Sequence, residues 1–202
     1  MRILELFAGT GSVAKALQGW EVVSVDITDK WSAPTHKVDI LEWDYRAYPA
    51  NSFDVVWASP PCTEYSILKA NTGMHQNLEL ADRLVLKTLE IIDYFKPARW
   101  FIENPQTSML KKRPMMIGKP YYDFDYCSFS DWGYRKRTRI WTNTAQQSQL
   151  CSGIDTCPNM VGRFHRVSFG GQGRPKEHTY EACPAGATAY RVPALLIKRL
   201  IP

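Results

Sequence analysis

Apolar residues in this chain fall into short runs, each closed by glycine, proline or a polar cluster. "RILELF" (2–7) has the length and composition of a buried strand. "AGTGSVAKALQ" (8–18) opens on glycines and continues with helical spacing, and "WEVVSVDI" (20–27) is a second strand. A third element carries "HKVDILEWD" (36–44). "SFDVVWASPPC" (52–62) is a fourth strand that stops at Pro60 and Pro61, because proline cannot donate to a ladder. Residues 63–76 are polar and turn-prone and read as a loop. "NLELADRLVLKTLEIIDYF" (77–95) is a helix by period, with Leu80, Leu84, Leu86, Leu89, Ile92 and Phe95 expected on its buried face. "ARWFIENP" (98–105) is a fifth strand, again ended by proline. "DYCSF" (125–129) reads as a strand able to pair with "TRIWT" (138–142).

Strands alternating with helical stretches predict an α/β protein with a Rossmann-like, doubly wound sheet, whose ligands bind at the carboxyl ends of the strands. The 202 residues suit one domain with an appendage. The expected division is a main α/β domain over 1–142, a small basic region over 143–188, and a C-terminal helix over 189–202 that returns to the main domain. No run of about 18 apolar residues predicts a membrane span. The N-terminus lacks a signal-peptide pattern, so the five cysteines are expected as reduced thiols in a cytoplasmic compartment.

Charge is unevenly placed. Residues 1–133 hold 14 Lys+Arg against 17 Asp+Glu, whereas 134–202 hold 11 against 3. A basic final third on a mildly acidic body points to a polyanion face. Arg163, Arg166, Arg174 and Lys176 are its candidate contacts.

Gly9, Gly11 and Ala14 form a G-x-G-x-x-A pattern between a strand and a helix, the arrangement that lets backbone approach a nucleotide-like ligand. Asp26 ends the second strand, where a carboxylate can take the two hydroxyls of a ribose. Asp39 followed by Ile40 offers a carboxylate to an exocyclic amine and an apolar wall to a ring. Two strands end in proline-braced polar tips, Cys62 on one and Glu103 on the other. A thiol and a carboxylic acid at the sheet edge that also holds the glycine turn make a covalent-catalysis site. In "YRKRTRIW" (134–141), strand alternation sends Arg135, Arg137 and Arg139 to one face and Lys136 and Thr138 to the other. In the core-poor final third, Cys127, Cys151, Cys157 and His165 are the preferred quartet for a structural zinc ion, with Cys183 or His178 able to replace any one of them.

Taken in order, these motifs resemble the C5-cytosine DNA methyltransferases. "LFAGTGS", Asp26 and "DIL" are similar to the family's three cofactor motifs, "SPPCTEYS" to its nucleophile motif, "FIENP" to its Glu-Asn-Val motif, and "GYRKRTRIW" to its paired-arginine motif. The resemblance spans roughly residues 3–142, and "YRVPALLIKRL" resembles a degenerate last motif. Its small size resembles the compact members found in phages and large viruses. The chain departs from the family at Pro105, where Val is usual, at Arg135, where Gln is common, and at Ala189-Tyr190, where Gly-Asn is usual; its target-reading region is also short.

The resemblance implies S-adenosyl-L-methionine as cofactor, held by Phe7, Ala8, Gly9, Thr10, Gly11, Asp26, Ile27, Asp39, Ile40 and Pro60. It implies double-stranded DNA with a flipped cytosine as substrate. Cys62 adds to C6 of the base, Glu103 serves N3, and Arg139, or else Arg137, holds the O2 edge. Ser66 and Arg135 contact the nucleic acid. Three other readings stay open: the same chemistry on RNA or a free cytidine nucleotide, amino-group methylation, and a DNA-binding module without catalysis. Cys62 stands where amino-group enzymes carry an aromatic residue after Pro-Pro.

Overall fold

The computed structural model describes residues 1–168, 181–182 and 187–202. Seven strands make one sheet: β1 (Arg2–Leu6), β2 (Glu21–Asp26), β3 (His36–Lys37), β4 (Val55–Ala58), β5 (Arg99–Pro105), β6 (Tyr121–Asp125) and β7 (Arg137–Thr142). Their spatial order is β3-β2-β1-β4-β5-β7-β6. The first five run parallel, and β7 lies antiparallel between β5 and β6. The chain winds outward from β1 to β3, then crosses back to lay β4 on the other side of β1. The strand order therefore reverses between β1 and β4, where an open sheet forms its ligand crevice.

Both faces of the sheet are covered, which is why β4 reads as a continuous apolar run rather than an alternating one. Leu4, Leu6, Val25 and Val56 face one core with Ala81, Val85, Ile91 and Phe95 of α3 (Leu78–Phe95). Ile3, Val55, Trp57 and Phe101 face the other. There they meet Val13 and Ala16 of α1 (Ser12–Ala16) and Leu196, Ile197 and Leu200 of a C-terminal helix. No helix among the described residues is long and apolar enough to cross a membrane.

Several local expectations are corrected. Residues 63–76 are not all loop, since α2 (Ile67–Asn71) lies within them. Glu64 accepts from Lys69 Nζ and from the Asn77 N–H, and Gln76 Nε2 donates to the carbonyls of Glu64 and Ser66. The buried face of α3 is rotated from the expected one: Ala81, Val85, Thr88, Ile92 and Phe95 point inward, while Leu80 and Leu86 are 40% and 51% exposed. The leucines make an apolar stripe broader than the core requires, so period alone could not choose its centre. The partner of β7 is Tyr121–Asp125, one element before the expected 125–129. Its ladder ends at Asp125↔Arg137, and Cys127 sits in the 3-10 turn Tyr126–Ser128 that follows.

Beyond β7 the chain forms a short hairpin, β8 (Met160–Val161) with β9 (Phe164–His165), and a parallel pair, β10 (Val167–Ser168) with β11 (Glu181–Ala182). The expected single C-terminal helix over 189–202 is two, α4 (Ala187–Tyr190) and α5 (Ala194–Leu200), broken around Pro193. Gly133 sets the junction. Its φ is +80°, and a Cβ there would lie 2.7 Å from Val167 Cγ2.

Leu196 on α5 is fully buried beneath the sheet. Leu196→Ala should cost about 2–5 kcal/mol, the range for opening a cavity at a packed core leucine. Denaturant unfolding measures this, and a change below about 0.5 kcal/mol, the scale of a surface substitution, would mean that α5 is not seated as described.

Candidate active site

The turn after β1 is built from left-handed backbone. Phe7, Gly9 and Gly11 have φ of +58°, +49° and +64°. Glycine adopts such angles freely, whereas a bulky residue such as Phe7 is strained by roughly 1–2 kcal/mol. The surroundings hold it there. Ala8 N–H donates to Val25 O (3.1 Å), Gly11 N–H to Ala8 O (2.8 Å), and Ser32 Oγ to Gly9 O (2.7 Å). Asp26 Oδ2 accepts from Gly9 N–H (2.8 Å) and its Oδ1 from Thr28 N–H (2.9 Å), so this carboxylate ties the tips of β1 and β2 together.

Two adjoining cavities open along this edge. One, of about 330 Å³, is lined by Phe7, Asp26, Ile27, Asp39, Ile40 and the α3 leucines Leu80 and Leu84. Leucines expected in the core thus form the floor of a cavity. The other, of about 310 Å³, runs from Ala8, Gly9 and Thr10 past Pro60 to Cys62 and Glu103. They share Phe7, Asp26, Ile27, Pro61 and Thr63, which makes them two compartments of one groove at the scale of a cofactor site. Of the predicted cofactor residues, only Gly11 lines neither compartment; it shapes the turn.

Cys62 and Glu103 meet in the second compartment. Asn104 Nδ2 donates to Pro60 O (2.9 Å), which pins the Pro-Pro-Cys segment to the tip of β5. Glu103 is buried, and its Oε1 accepts from Tyr126 Oη (3.2 Å) and from Thr138 Oγ1. Burial pushes the Cys62 thiol up, the neighbouring Glu103 carboxylate adds to the shift, and the Lys136 ammonium opposes it.

The arginines stand elsewhere. Arg137 makes a two-pronged ion pair with Asp125 (2.9 and 2.8 Å), and Arg139 does the same with Asp123 (2.8 and 2.9 Å). Arg139 also lies 3.6 Å from the Tyr121 ring centre. Neither arginine lines the groove, whereas Lys136 does. Within β7, alternation separates Arg137 and Arg139 from Thr138 and turns the two arginines toward β6 rather than the groove. Asp123 and Asp125 on β6 stand directly opposite Arg139 and Arg137, so the arginines satisfy their charge there, and Thr138 falls on the side of Glu103. The pattern D-x-D at 123–125 against R-x-R at 137–139 was the available signal.

Other expectations distribute unevenly. Ser66 precedes α2, with its carbonyl accepting from Ala70 N–H and Gln76 Nε2. Arg135 and Arg163 are exposed and line a separate cleft of about 300 Å³. Arg166 donates to Asp131 O (2.7 Å) and Asn159 Oδ1 (3.2 Å), a structural tie. Arg174 and Lys176 lie outside the described residues, as do Cys183 and His178. The sequence reading missed Trp31 and Tyr190, whose rings stack at 5.2 Å on the wall of the second compartment. It also missed Glu5, a buried acid whose two oxygens accept from Val13 N–H (3.2 Å) and Ala14 N–H (3.4 Å) under the glycine turn.

A sheet whose order reverses beside a glycine turn, with an acid on the second strand and a cofactor-sized groove, is the architecture of a methyltransferase. Over 74% of its length the chain superposes on 56% of the methyltransferase EhMeth of Entamoeba histolytica, with a TM-score of 0.53 at 16% identity, a likeness of fold. It therefore spans little more than half of that structure. The family model for C-5 cytosine-specific DNA methylase matches residues 1–117, which include Asp26, Cys62 and Glu103. The "Probable DNA (cytosine-5)-methyltransferase" of Frog virus 3 (isolate Goorha) is 40% identical over 100% of this chain and 99% of its own length. The chain belongs to the C-5 cytosine-specific DNA methylase family.

Burial lifts Glu5 from 4.5 to about 7, against the two backbone N–H bonds that favour its charge. The folded protein then binds more protons than the unfolded chain between these values, so this residue makes stability fall as pH rises from about 4.5 to about 7. Glu5→Gln should remove that slope. Urea midpoints measured across the interval should converge on, or fall below, those of the variant as pH rises, and parallel profiles would show that Glu5 is ionised throughout.

Proposed function

We infer that the protein methylates C5 of cytosine in DNA through a transient bond between Cys62 and the base. The observation that carries this reading is that Cys62, Glu103 and the glycine turn share one groove. Its two compartments suit S-adenosylmethionine: Asp26 for the ribose, Asp39 and the apolar Ile27 and Ile40 for the adenine, and the Gly9 end for the methionine portion. Bound there, the cofactor supplies an electrophilic methyl group.

The chain's own residues do the rest. C5 of cytosine is a poor nucleophile until C6 carries an added group, and sulfur is soft enough to add reversibly. Cys62 is held as a thiol by burial and by Glu103, so it must lose its proton as the C6–S bond forms. Lys136 favours that loss. The electron pair freed by addition becomes available at C5, while Glu103, oriented by Tyr126 and Thr138, shares a proton with N3. After methylation the C5 proton passes to solvent, the C5–H electron pair re-forms the C5–C6 double bond, and the C6–S bond breaks with its electron pair on sulfur, which restores the ring. A stacked base cannot reach Cys62, so the target cytosine is flipped from the duplex. Arg135 and Arg163 are the exposed cations that suit the phosphates, and the short appendage suits a short or relaxed recognition sequence. The thiols suit a reducing, cytoplasm-like compartment.

Duplex DNA carrying 5-fluorocytosine, with cofactor, should give a denaturation-resistant adduct with the wild type and none with Cys62→Ala, because fluorine blocks the final elimination. Nucleoside mass spectrometry after incubation with DNA and RNA separately identifies the substrate. Wild-type turnover without an adduct would point to a different target atom, and methylation confined to RNA would remove the DNA reading.

If Arg135 and Arg163 contact phosphates, replacing each with Ala should lower the slope of log affinity against log salt by about 1 and weaken unrelated sequences equally. Binding titrations at several salt concentrations test this. Unchanged slopes would place the nucleic-acid face elsewhere.

A further inference from the structure

The described residues 143–168 contribute only Cys157 and Val167 to the buried apolar set. A segment of that length cannot hold a fixed position on so little core, and short core-poor units need a staple. Part of the staple is polar. Asn159 is buried, its Nδ2 donates to Cys127 O (2.9 Å) and Ser130 O (2.7 Å), and its Oδ1 accepts from Gly133 N–H (3.0 Å).

Beside this network lie Cys127, Cys151, Cys157 and His165, with all four candidate ligand atoms within 4.8 Å of one another. His165 Nε2 is 3.5 Å from Cys151 Sγ and 3.7 Å from Cys157 Sγ. One ring nitrogen either donates one proton or offers one lone pair, so it cannot make two good bonds to two thiols. A shared metal removes that conflict. With zinc–sulfur bonds of about 2.3 Å and zinc–nitrogen bonds of about 2.0–2.1 Å, tetrahedral ligands sit about 3.6 Å apart for S and N. The two observed separations bracket that value.

We propose that Cys127, Cys151, Cys157 and His165 bind one structural zinc ion that fastens the appendage to the catalytic sheet. Three thiolates and one imidazole are a closed, four-coordinate structural set with no position left for water. The backbone at one ligand is fixed, since the Cys151 N–H donates to Asp125 Oδ2 (2.8 Å), the carboxylate that also holds Arg137. One ligand comes from the turn after β6 and three from the appendage, so the ion closes the junction itself. The cysteines are unpaired thiols in this structure. The site touches neither Cys62 nor Glu103, and the inference stands apart from the methyl-transfer reading.

Full-length protein purified under reducing conditions should carry about one zinc per chain by elemental analysis, and cobalt replacement should give thiolate-to-metal charge-transfer absorption. Cys151→Ser should lower metal affinity by more than the roughly 10–100-fold lost with an outer-shell partner. His165→Cys, which preserves four ligands, should retain the metal, and so should Cys183→Ser. Chelation should lower the melting temperature of the wild type while S-adenosylmethionine binding persists at low temperature. Absence of bound metal, a disulfide among these cysteines in the native protein, or loss of zinc from Cys183→Ser but not Cys151→Ser would overturn the assignment.

Discussion

The site depends on the parallel alignment of β1, β4 and β5, which delivers three chain tips to one edge of the sheet. Register places Leu6 beside Ala58 and Ala58 beside Ile102, so the glycine turn, the Pro-Pro-Cys segment and Glu103 all emerge at one level. The bond from Asn104 Nδ2 to Pro60 O then fixes two of these tips against each other. The prolines after β4 serve this arrangement, since they cannot extend its ladder and they stiffen the segment that carries Cys62. A thiol and a carboxyl carried on mobile loops could not be held together at so little cost.

Charge in the basic third is partly used inside the fold. Arg137 and Arg139 are neutralised by the aspartates of β6, and Arg166 is spent on a backbone carbonyl and Asn159. Of the sequence-level excess of cations, the exposed Arg135 and Arg163 are what the described residues present beside the appendage cleft. Near the groove, one ammonium has a different role. Lys136 shares its wall with Cys62 and Glu103, where a positive charge eases thiolate formation against burial and the carboxylate's repulsion.

Two kinds of assembly coexist in this small chain. Residues up to β7, together with α5, are held by cores on both faces of the sheet, whereas the appendage between them relies on the hydrogen bonds of Asn159 and on a cluster of Cys and His side chains. The second kind is less dependent on apolar area and more on geometry.

Patterns with a local cause were legible from the sequence. Strand runs ended by proline, the glycine turn, Asp26, Cys62 and Glu103 all follow from the chemistry of single residues and their neighbours, and the cysteine–histidine quartet follows from scarcity of core. Placement that depends on a distant partner was not. The arginines turned to β6 because Asp123 and Asp125 stand opposite them, a fact of strand pairing. The α3 helix presented Leu80 and Leu84 to a cavity because the groove lies there, which helical period cannot reveal. Asn104, Tyr126 and Thr138 became supports of the site, and Trp31 met Tyr190, only once segments far apart in the chain were packed together. Sequence determines what each residue can do and where a local element must stop. Tertiary structure decides which neighbour satisfies it, because charge, hydrogen bonds and apolar surface are all completed across the fold rather than along the chain.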